Sequence, residues 1–327
     1  MASALSNASR RGVAVRLAFN VDHANPIPVP PPPGGEPSVI DGLDVPTKPI
    51  PGVPDLMHHK YVVRDGEAVW TGSTNWTDDS WSREENVIAV VESTGVAHSY
   101  STDFEQLWST GDVAQSGFVD PNPIKVDGKR VRAWFAPGRG EAMAIRIAHR
   151  VARAKTRIRV SSPVLTSAPI LGALAEAVSD GKVDIAGVVD ATQMKGVYHQ
   201  WMLNGNSDWK VPLIARVLGG APFSGKLSTP YGQGDVHDYM HAKVTVADDI
   251  VFIGSYNLSH SGEVNAENVL EIRDAELADR LAAFVDEIRA RYPAAPLPGL
   301  TGGSQTANES FKEPERGPKG STSASDN

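Results

Sequence analysis

The feature that most constrains this chain is a pattern of polar residues that occurs twice at nearly fixed spacing. In each copy a histidine is followed by a lysine, an aspartate, a Gly-Ser-x-Asn sequence and a Glu-Asn-Val sequence. The shared positions are His58, Lys60, Asp65, Gly72, Ser73, Asn75 and Glu85 in the first copy, and His241, Lys243, Asp248, Gly254, Ser255, Asn257 and Glu267 in the second. The copies differ in length by one residue, in the turn after the aspartate. A repeat of this kind predicts two halves of related structure.

Strand geometry predicts that the polar residues of each copy form one cluster. Each histidine and its lysine are two residues apart, so their side chains share a face of a strand. Asp65-Gly66 is a strong turn signal, and folding back there brings the Gly-Ser-x-Asn sequence beside the histidine. Asp65 and Asp248 would then lie near the turns, in a mainly structural or orienting role. His59 has no counterpart, because Ala242 takes its place, and alternation puts it on the other face.

Composition and turn signals divide the chain into two halves, a linker and a tail. The first half covers residues 1–120 and includes a proline-dense loop, 24–54, which we expect to lack regular structure. A polar connection, 121–130, leads to the second half, 131–297. Residues 298–327 are rich in small polar and charged residues and poor in apolar ones. This composition predicts a disordered tail.

The two halves are unequal at their starts. In the second, an expected strand, helix, strand and helix (131–180) precede the strand KVDIAGVVDA, and a longer irregular stretch (191–235) follows it. In the first, only ASALSNASRRG precedes the matching strand VAVRLAFNVD. About 35 to 45 residues therefore have no counterpart in the first half. We favour an N-terminal truncation over a lost part of the sheet, because an uncovered sheet edge invites aggregation. Asp22 and Asp190 end the matching strands, and either reach the site or cap the next segment.

Composition excludes several classes of protein. The chain has 31 basic and 39 acidic residues, a formal net charge of −8, which disfavours a protein that coats nucleic acid. It has no cysteine, so disulfides, thiolate metal sites and a cysteine nucleophile are excluded. The sequence contains no apolar run long enough to span a membrane, and its start reads as a strand rather than as a secretion signal. The expected location is the cytoplasm, unless the true N-terminus is missing, in which case the location is unknown.

The duplicated motifs resemble those of the phospholipase D superfamily, whose signature is H-x-K-x4-D followed by G-S-x-N. The resemblance covers nearly the whole chain outside the proline-dense loop and the tail. It implies an α/β fold of two pseudo-symmetric halves, each a mixed β-sheet flanked by helices, with the active site at their interface. A chain that carries both motifs can form that site as a monomer. We expect no metal and no cofactor, because the sequence contains neither HExxH nor a carboxylate cluster at ligand spacing.

Phosphodiester cleavage explains the residue types in the motifs. Imidazole has an ordinary pKa of about 6.5, so a histidine can act as a nucleophile or as a general acid and base near neutrality. Lysine and asparagine side chains can hold the phosphoryl oxygens while charge moves between them. The resemblance implies that His58 forms a phosphohistidine and that His241 is the acid and base. It also implies that Glu85 and Glu267 orient the two histidines.

Three functions are compatible with the sequence. The first is a metal-independent phosphodiesterase of phospholipase D type that hydrolyses or transfers phosphatidyl groups, with phospholipid or another phosphodiester as substrate and peripheral contact with a membrane. A nuclease ranks second because of the acidic charge balance, and nucleic acid is the less favoured partner. A catalytically inactive phosphate-binding scaffold is the third, favoured by the unequal first half. One copy alone would fit a solvated strand edge, but the duplication makes that interpretation untenable.

Several residues near the motifs have two interpretations that the sequence leaves open. They line the pocket, or they serve packing and loop structure. These residues are Trp76, Trp81, His237, Asp238 and Tyr239.

Overall fold

The computed structural model describes residues 1–21, 38–205, 207–229 and 237–298. The elements of the first half are α1 (Ala2–Arg10), β1 (Leu17–Asn20), α2 (Ser38–Asp41), β2 (Thr47–Ile50), β3 (Tyr61–Arg64), β4 (Ala68–Gly72), α3 (Asp78–Ser82), β5 (Ile88–Glu92) and α4 (Thr94–Thr110). A 3-10 turn, Val113–Gln115, follows α4.

The second half contains more helices and a longer sheet. Its elements are β6 (Ile124–Val126), β7 (Lys129–Ala136), α5 (Gly140–Ala152), β8 (Arg157–Ser162), α6 (Ala168–Asp180), β9 (Asp184–Asp190), α7 (Ala191–Asn204), a 3-10 turn (Asp208–Lys210), α8 (Val211–Gly220), β10 (Phe223–Lys226), β11 (Val244–Ala247), β12 (Ile250–Gly254), α9 (His260–Val264), β13 (Glu267–Arg273) and α10 (Ala275–Arg291).

Local sequence fixes the ends of the long helices. Ser93 caps α4, because its side chain accepts a hydrogen bond from the backbone of Val96. Asp274 caps α10 in the same way, accepting from two backbone amides of the first turn. At the other end α4 stops at Gly111, which has a positive φ of 69° that glycine adopts at little cost. The two ends of α4 and the start of α10 are therefore set by residues next to them in the sequence.

The sheets confirm the expected mixed α/β fold of two related halves. Eight strands form one sheet in the order β10-β9-β8-β11-β12-β13-β7-β6, in which β8, β9 and β10 are parallel and the others pair antiparallel. In the first half β1 pairs with β2 in parallel, and β3, β4 and β5 form an antiparallel sheet. The strand pairs β1–β2 and β9–β10 correspond, as do β3–β4–β5 and β11–β12–β13.

Strand β8 of the second half is among those that have no counterpart in the described residues of the first. Strand β8 lies between β9 and β11 and joins the parallel strands to the motif hairpin. In the first half β1 and β3 belong to separate sheets. The inequality expected from the sequence is therefore visible as a break between the two sheets of the first half.

This break leaves one face of the first-half hairpin exposed. Trp70 on β4 corresponds to Phe252 on β12, since both pair with the second residue of the preceding strand. Phe252 is only 3% exposed, in a cluster with Met143 and other side chains of α5. Trp70 instead stacks on Trp81, which is 54% exposed. The helices that cover Phe252 thus have no equivalent over Trp70 in the described structure.

The two halves share a hydrophobic core. One buried cluster combines Val69 and Tyr100 of the first half with Phe135, Ile253 and Leu270 of the second. Burial of apolar surface is the main favourable contribution to folding, so this cluster holds the halves together as one unit. The relative position of the two motifs depends on this shared core.

Three expectations about irregular segments are wrong in part. The proline-dense loop contains β2, whose Pro49 is accommodated because β2 is an edge strand. The linker 121–130 contains β6, which pairs with β7 and extends the large sheet. The stretch 191–235 contains α7, α8 and β10. Residues 22–37 of the loop, and the tail from 299 onwards, lie outside the described residues.

None of the helices in the described part of the chain is both long enough and apolar enough to cross a bilayer.

Candidate active site

Both motif hairpins close tightly against the strand that follows them. Ser73 donates from its backbone to the carbonyl of Val87, and Ser255 donates to that of Asn268, each at 3.0 Å. A Cβ on Gly72 or Gly254 would lie 2.1 or 2.0 Å from the same carbonyl oxygens. Only glycine permits this approach. The glycine before the serine therefore occurs in both copies for a steric reason, because a Cβ there would clash with the carbonyl that the serine amide contacts.

The two motifs meet across the junction of the halves. The backbone amide of His58 donates to the carbonyl of Ala266 at 3.0 Å, and that of His241 donates to the carbonyl of Glu85 at 3.1 Å. Each histidine is thus fixed to the segment that precedes the last strand of the opposite hairpin. These reciprocal backbone hydrogen bonds bring the two motifs together at the interface of the halves.

His58 is held by a buried carboxylate of the second half. Its Nδ1 lies 2.7 Å from Oε1 of Glu267, a side chain with 0% exposure. The other carboxylate oxygen of Glu267 accepts from the hydroxyl of Ser255. Burial, opposed by Glu267 and reinforced by Lys60, lowers the pKa of His58 to about 4. The ring is therefore neutral at pH 7, with Nδ1–H held by Glu267 and Nε2 as the nitrogen that can react.

His241 has a different partner from the one expected. Its Nδ1 lies 3.1 Å from Oδ1 of Asn86 and 3.4 Å from a carboxylate oxygen of Glu84. Burial and the neighbouring Lys243 and Lys60 lower the pKa of His241 well below its usual value. This ring too is neutral at pH 7.

The expected role of Glu85 in orienting one of the two histidines is wrong. The carboxylate of Glu85 accepts a hydrogen bond from Lys226 at 2.9 Å and another from the hydroxyl of Tyr292. The reason is a one-residue shift in register. Since Val87 occupies the place of Asn268 beside the motif serine, Asn86 occupies the place of Glu267. The repeated Glu-Asn-Val sequence suggests the other alignment. The sequence does carry a sign of this ambiguity, because Glu84 and Glu85 are adjacent and either could be aligned with Glu267.

The two lysines are buried beside the histidines. Lys60 and Lys243 are in equivalent positions, and each Nζ donates to the carbonyl of its own motif histidine at 2.7 Å. Burial lowers the pKa of Lys60 to about 8, with Glu267 and Glu84 opposing the shift. Burial and Lys60 together lower the pKa of Lys243. Two buried cations in one site favour an anionic ligand, because a phosphate group would relieve their repulsion.

The remaining motif residues include two half-buried asparagines and a serine that supports its hairpin. Asn257 is half-buried, and its Oδ1 has no hydrogen-bond partner in the described structure. Asn75 is half-buried at the equivalent position. The hydroxyl of Ser73 stabilises the hairpin, because it donates to the side-chain oxygen of Asn86 and accepts from the backbone amide of Val87.

Both motif aspartates lie at the hairpin turns. Asp65 and Asp248 have the same positive φ of 54°, and no contact between either of them and a histidine is among those described. Asp248 instead accepts hydrogen bonds from the backbone of residues 155–157 at the start of β8.

The residues with two interpretations now have defined contacts. His237 pairs with Glu84, with Nε2 3.1 Å from the carboxylate. Asp238 accepts from the backbone of Thr229 and lies 3.9 Å from Lys226. Trp81 stacks on the exposed side of the hairpin. His237 is thus connected to the site through Glu84, which lies 3.4 Å from His241.

Two other residues have structural contacts. His59 is buried, as expected for a structural residue, with Nε2 3.0 Å from Asp103 and Nδ1 3.2 Å from Asn268. Asp190 caps α7 and binds the backbone of Met240. Asp22 lies outside the described residues.

In the described residues, no group of three or more His, Cys, Asp or Glu side chains is arranged to hold a metal ion. The site is composed of imidazole, ammonium, amide and carboxylate groups.

Comparison with known proteins identifies the family. The family model described as cardiolipin synthase, phospholipase D-like domain, matches residues 1–108 and 147–289. The chain belongs to the phospholipase D superfamily. This assignment agrees with the paired His-x-Lys motifs at the junction of two related halves.

Individual proteins are similar over shorter lengths or at lower identity. The mitochondrial cardiolipin hydrolase of Xenopus laevis is 39% identical over 62 residues, which make up 19% of this chain and 30% of that protein. The phosphatidylserine synthase of Haemophilus influenzae has a similar fold, with a TM-score of 0.53, 14% identity, and coverage of 75% of this chain and 64% of that one. Nuc of Salmonella typhimurium, a phospholipase D family member, has a TM-score of 0.37 at 21% identity, covering 50% and 95%.

Proposed function

We propose that this superfamily member is a metal-independent phosphodiesterase that acts on phosphatidyl groups through a phosphohistidine. The observation that carries the proposal is the pairing of His58 Nδ1 with Glu267 at 2.7 Å, beside two buried lysines. This pairing leaves Nε2 of His58 with its lone pair, and the lysines supply positive charge for phosphoryl oxygens.

In the first step His58 Nε2 attacks phosphorus, and the bond from phosphorus to the leaving alcohol oxygen breaks. His241 donates its Nε2 proton to that oxygen. Phosphorylation gives the ring of His58 a positive charge, which the carboxylate of Glu267 stabilises at Nδ1–H. Lys60, Lys243 and the two motif asparagines hold the phosphoryl oxygens throughout.

In the second step water, or an acceptor alcohol, loses its proton to His241 and attacks phosphorus. The bond between phosphorus and Nε2 breaks, and both histidines return to their starting states. Burial and the neighbouring Lys243 and Lys60 lower the pKa of His241, and a bound phosphodiester anion offsets the contribution of the lysines. His241 therefore takes up its proton together with the substrate, and is an acid when the leaving group needs one.

The phosphatidyl class of substrate rests on the family model and on charge. The matching model describes cardiolipin synthase domains, and the curated relatives are cardiolipin hydrolases. The net charge of −8 opposes broad electrostatic binding to nucleic acid. We accordingly propose that the substrate is a phospholipid in a membrane, and that the protein contacts this membrane peripherally.

The test is turnover of phosphatidylcholine, cardiolipin and single-stranded DNA in excess EDTA, with His58→Ala and His241→Ala alongside. We expect EDTA-resistant release from lipid, reduced by on the order of 1,000-fold or more in either variant. An alkaline quench, in which phosphohistidine is stable, should trap the intermediate in the His241→Ala protein but not in the His58→Ala protein, when the substrate has a leaving group that departs without protonation.

Faster cleavage of DNA than of lipid would make this chain a nuclease. Well-folded protein with no turnover of any phosphodiester would leave a phosphate-binding scaffold. Loss of turnover in EDTA would contradict a metal-independent mechanism.

A further inference from the structure

The two histidines differ in the chemistry of their partners. His58 contacts a carboxylate directly, whereas the nearest acceptor to His241 is the amide oxygen of Asn86. We infer that Glu84, acting with Asn86 and paired with His237, is the positioning residue for His241. The inference deepens the proposed function and rests on it for the role of His241 as acid and base.

The orientation of the Asn86 amide is fixed by its surroundings. On one side its nitrogen donates to the carbonyl of Ser80 at 3.0 Å and to Glu84 at 3.2 Å, both of which only accept. On the other side its oxygen accepts from the hydroxyl of Ser73 at 2.6 Å. The oxygen therefore faces His241, and Nδ1 of His241 must carry the proton. Nε2 of His241 is left as the nitrogen that exchanges a proton with substrate.

Glu84 places a negative charge directly behind this amide. Its side chain is 1% exposed. Burial raises the pKa of Glu84, but hydrogen bonds from His237, Ser80 and Asn86 outweigh burial, and the net shift of the pKa is downward. A buried carboxylate that stays ionised, 3.4 Å from Nδ1 of His241, stabilises the protonated form of that ring.

His237 limits how strongly Glu84 acts on His241. Its Nε2 faces Glu84, and its Nδ1 lies 3.3 Å from the carbonyl of Thr229, so both ring nitrogens face acceptors. This arrangement favours the imidazolium, and hydrogen bonding to Glu84 raises the pKa of His237 despite burial. The charge of Glu84 is therefore shared between two histidines.

The result is a pair of histidines suited to different tasks. Glu267 contacts His58 directly, and this contact stabilises a ring that becomes covalently bonded to phosphorus. His241 is backed by a neutral oxygen and a shared carboxylate, while burial, Lys243 and Lys60 oppose its protonation. A ring with this weaker support gives up its proton readily, as a general acid must.

The experiment measures the ionisation of His241 by histidine side-chain NMR in the full-length protein, together with kcat as a function of pH. The variants are Glu84→Gln, the double change Glu84→Gln/Asn86→Asp, and Glu85→Gln as the matched neighbour. The double change moves the carboxylate from behind the amide to direct contact with His241 while keeping a single negative charge in the pocket.

We expect Glu84→Gln to lower the pKa of His241 further and to lower kcat on the order of 100-fold. The double variant should raise that pKa above its wild-type value and recover at least part of kcat. Glu85→Gln should leave the titration of His241 unchanged. A purely structural role for Glu84 would lower stability in the single and double variants alike without moving the pKa in opposite directions.

An unchanged titration of His241 in well-folded Glu84→Gln protein would overturn the inference. If that variant does not fold, the double variant decides alone, and a pKa of His241 at or below the wild-type value would overturn it. The titration needs no substrate, so absence of turnover in the wild type would contradict the proposed function without affecting this test.

Discussion

At the scale of single residues, the site is defined by buried groups whose charges do not cancel. Lys60 and Lys243 are both largely buried, and together with burial they lower the pKa of His241. Glu267 and Glu84 partly compensate for the lysines. Groups in this situation titrate far from their ordinary pKa values, which is a common property of catalytic sites.

The pH dependence of kcat/KM should report Lys60. Its pKa is lowered to about 8, and a lysine is charged only below its pKa. The positive charge that binds the phosphodiester is therefore lost as pH rises through about 8, and kcat/KM, which reflects the free enzyme, should fall there. Lys60→Arg should move this alkaline limb to higher pH, because guanidinium keeps its charge.

The control for this prediction is Lys182→Arg, since the Lys182 side chain is 80% exposed. It should leave the profile unchanged. An alkaline limb at the same pH in Lys60→Arg as in the wild type would assign the titration to another group.

At the scale of secondary-structure elements, equivalent turns have unequal surroundings. Asp248, at the β11–β12 turn, accepts from the backbone amides of Lys155 and Thr156 at 2.9 Å and from the Thr156 hydroxyl at 2.7 Å. Asp65 is at the same place in the β3–β4 turn, and its side chain is 66% exposed. The difference arises because β8, which Asp248 contacts, has no counterpart beside β3 in the described structure.

Asp248→Ala should therefore lower the free energy of unfolding by about 1–3 kcal/mol more than Asp65→Ala. Both aspartates have a φ of 54°, so the backbone cost of alanine is common to the two variants. The difference between them isolates the hydrogen bonds to the start of β8. Denaturant unfolding of the two variants measures it, and equal losses would mean that these bonds contribute little.

At the scale of the whole molecule, both motif histidines, both motif lysines and the partners described for them come from one chain. The backbone bonds from His58 to Ala266 and from His241 to Glu85 connect the halves directly. The shared buried cluster holds them in register. We propose that the active form is a monomer, because each half provides the partner that the histidine of the other half needs.

Specific activity should then be independent of protein concentration. A dilution series assayed on a soluble phosphodiester checks this, with sedimentation at the highest concentration. A fall in specific activity on dilution would show that a second copy completes the site, for example by covering the exposed face around Trp70 and Trp81.

Much of the site could be predicted from the sequence because its signals are local. The His-x-Lys spacing places two side chains on one face, and Asp65-Gly66 marks the turn, so both hairpins follow from short stretches. Helix α7 could not be foreseen in the same way, since its apolar residues do not recur along one face. Strand β2 was hidden by prolines that only an edge strand tolerates.

The sequence by itself determined that this chain has two related halves, an α/β fold and two histidine–lysine pairs, because these depend on periodicity and on residues adjacent in the chain. Only the tertiary structure decided which acceptor each histidine contacts. Glu84, Glu85 and Asn86 are consecutive, and a shift of one residue in a strand reverses which side chains face the site. That register is set by the closure of Ser73 onto Val87 and by packing across the junction of the halves, and neither contact is local in sequence.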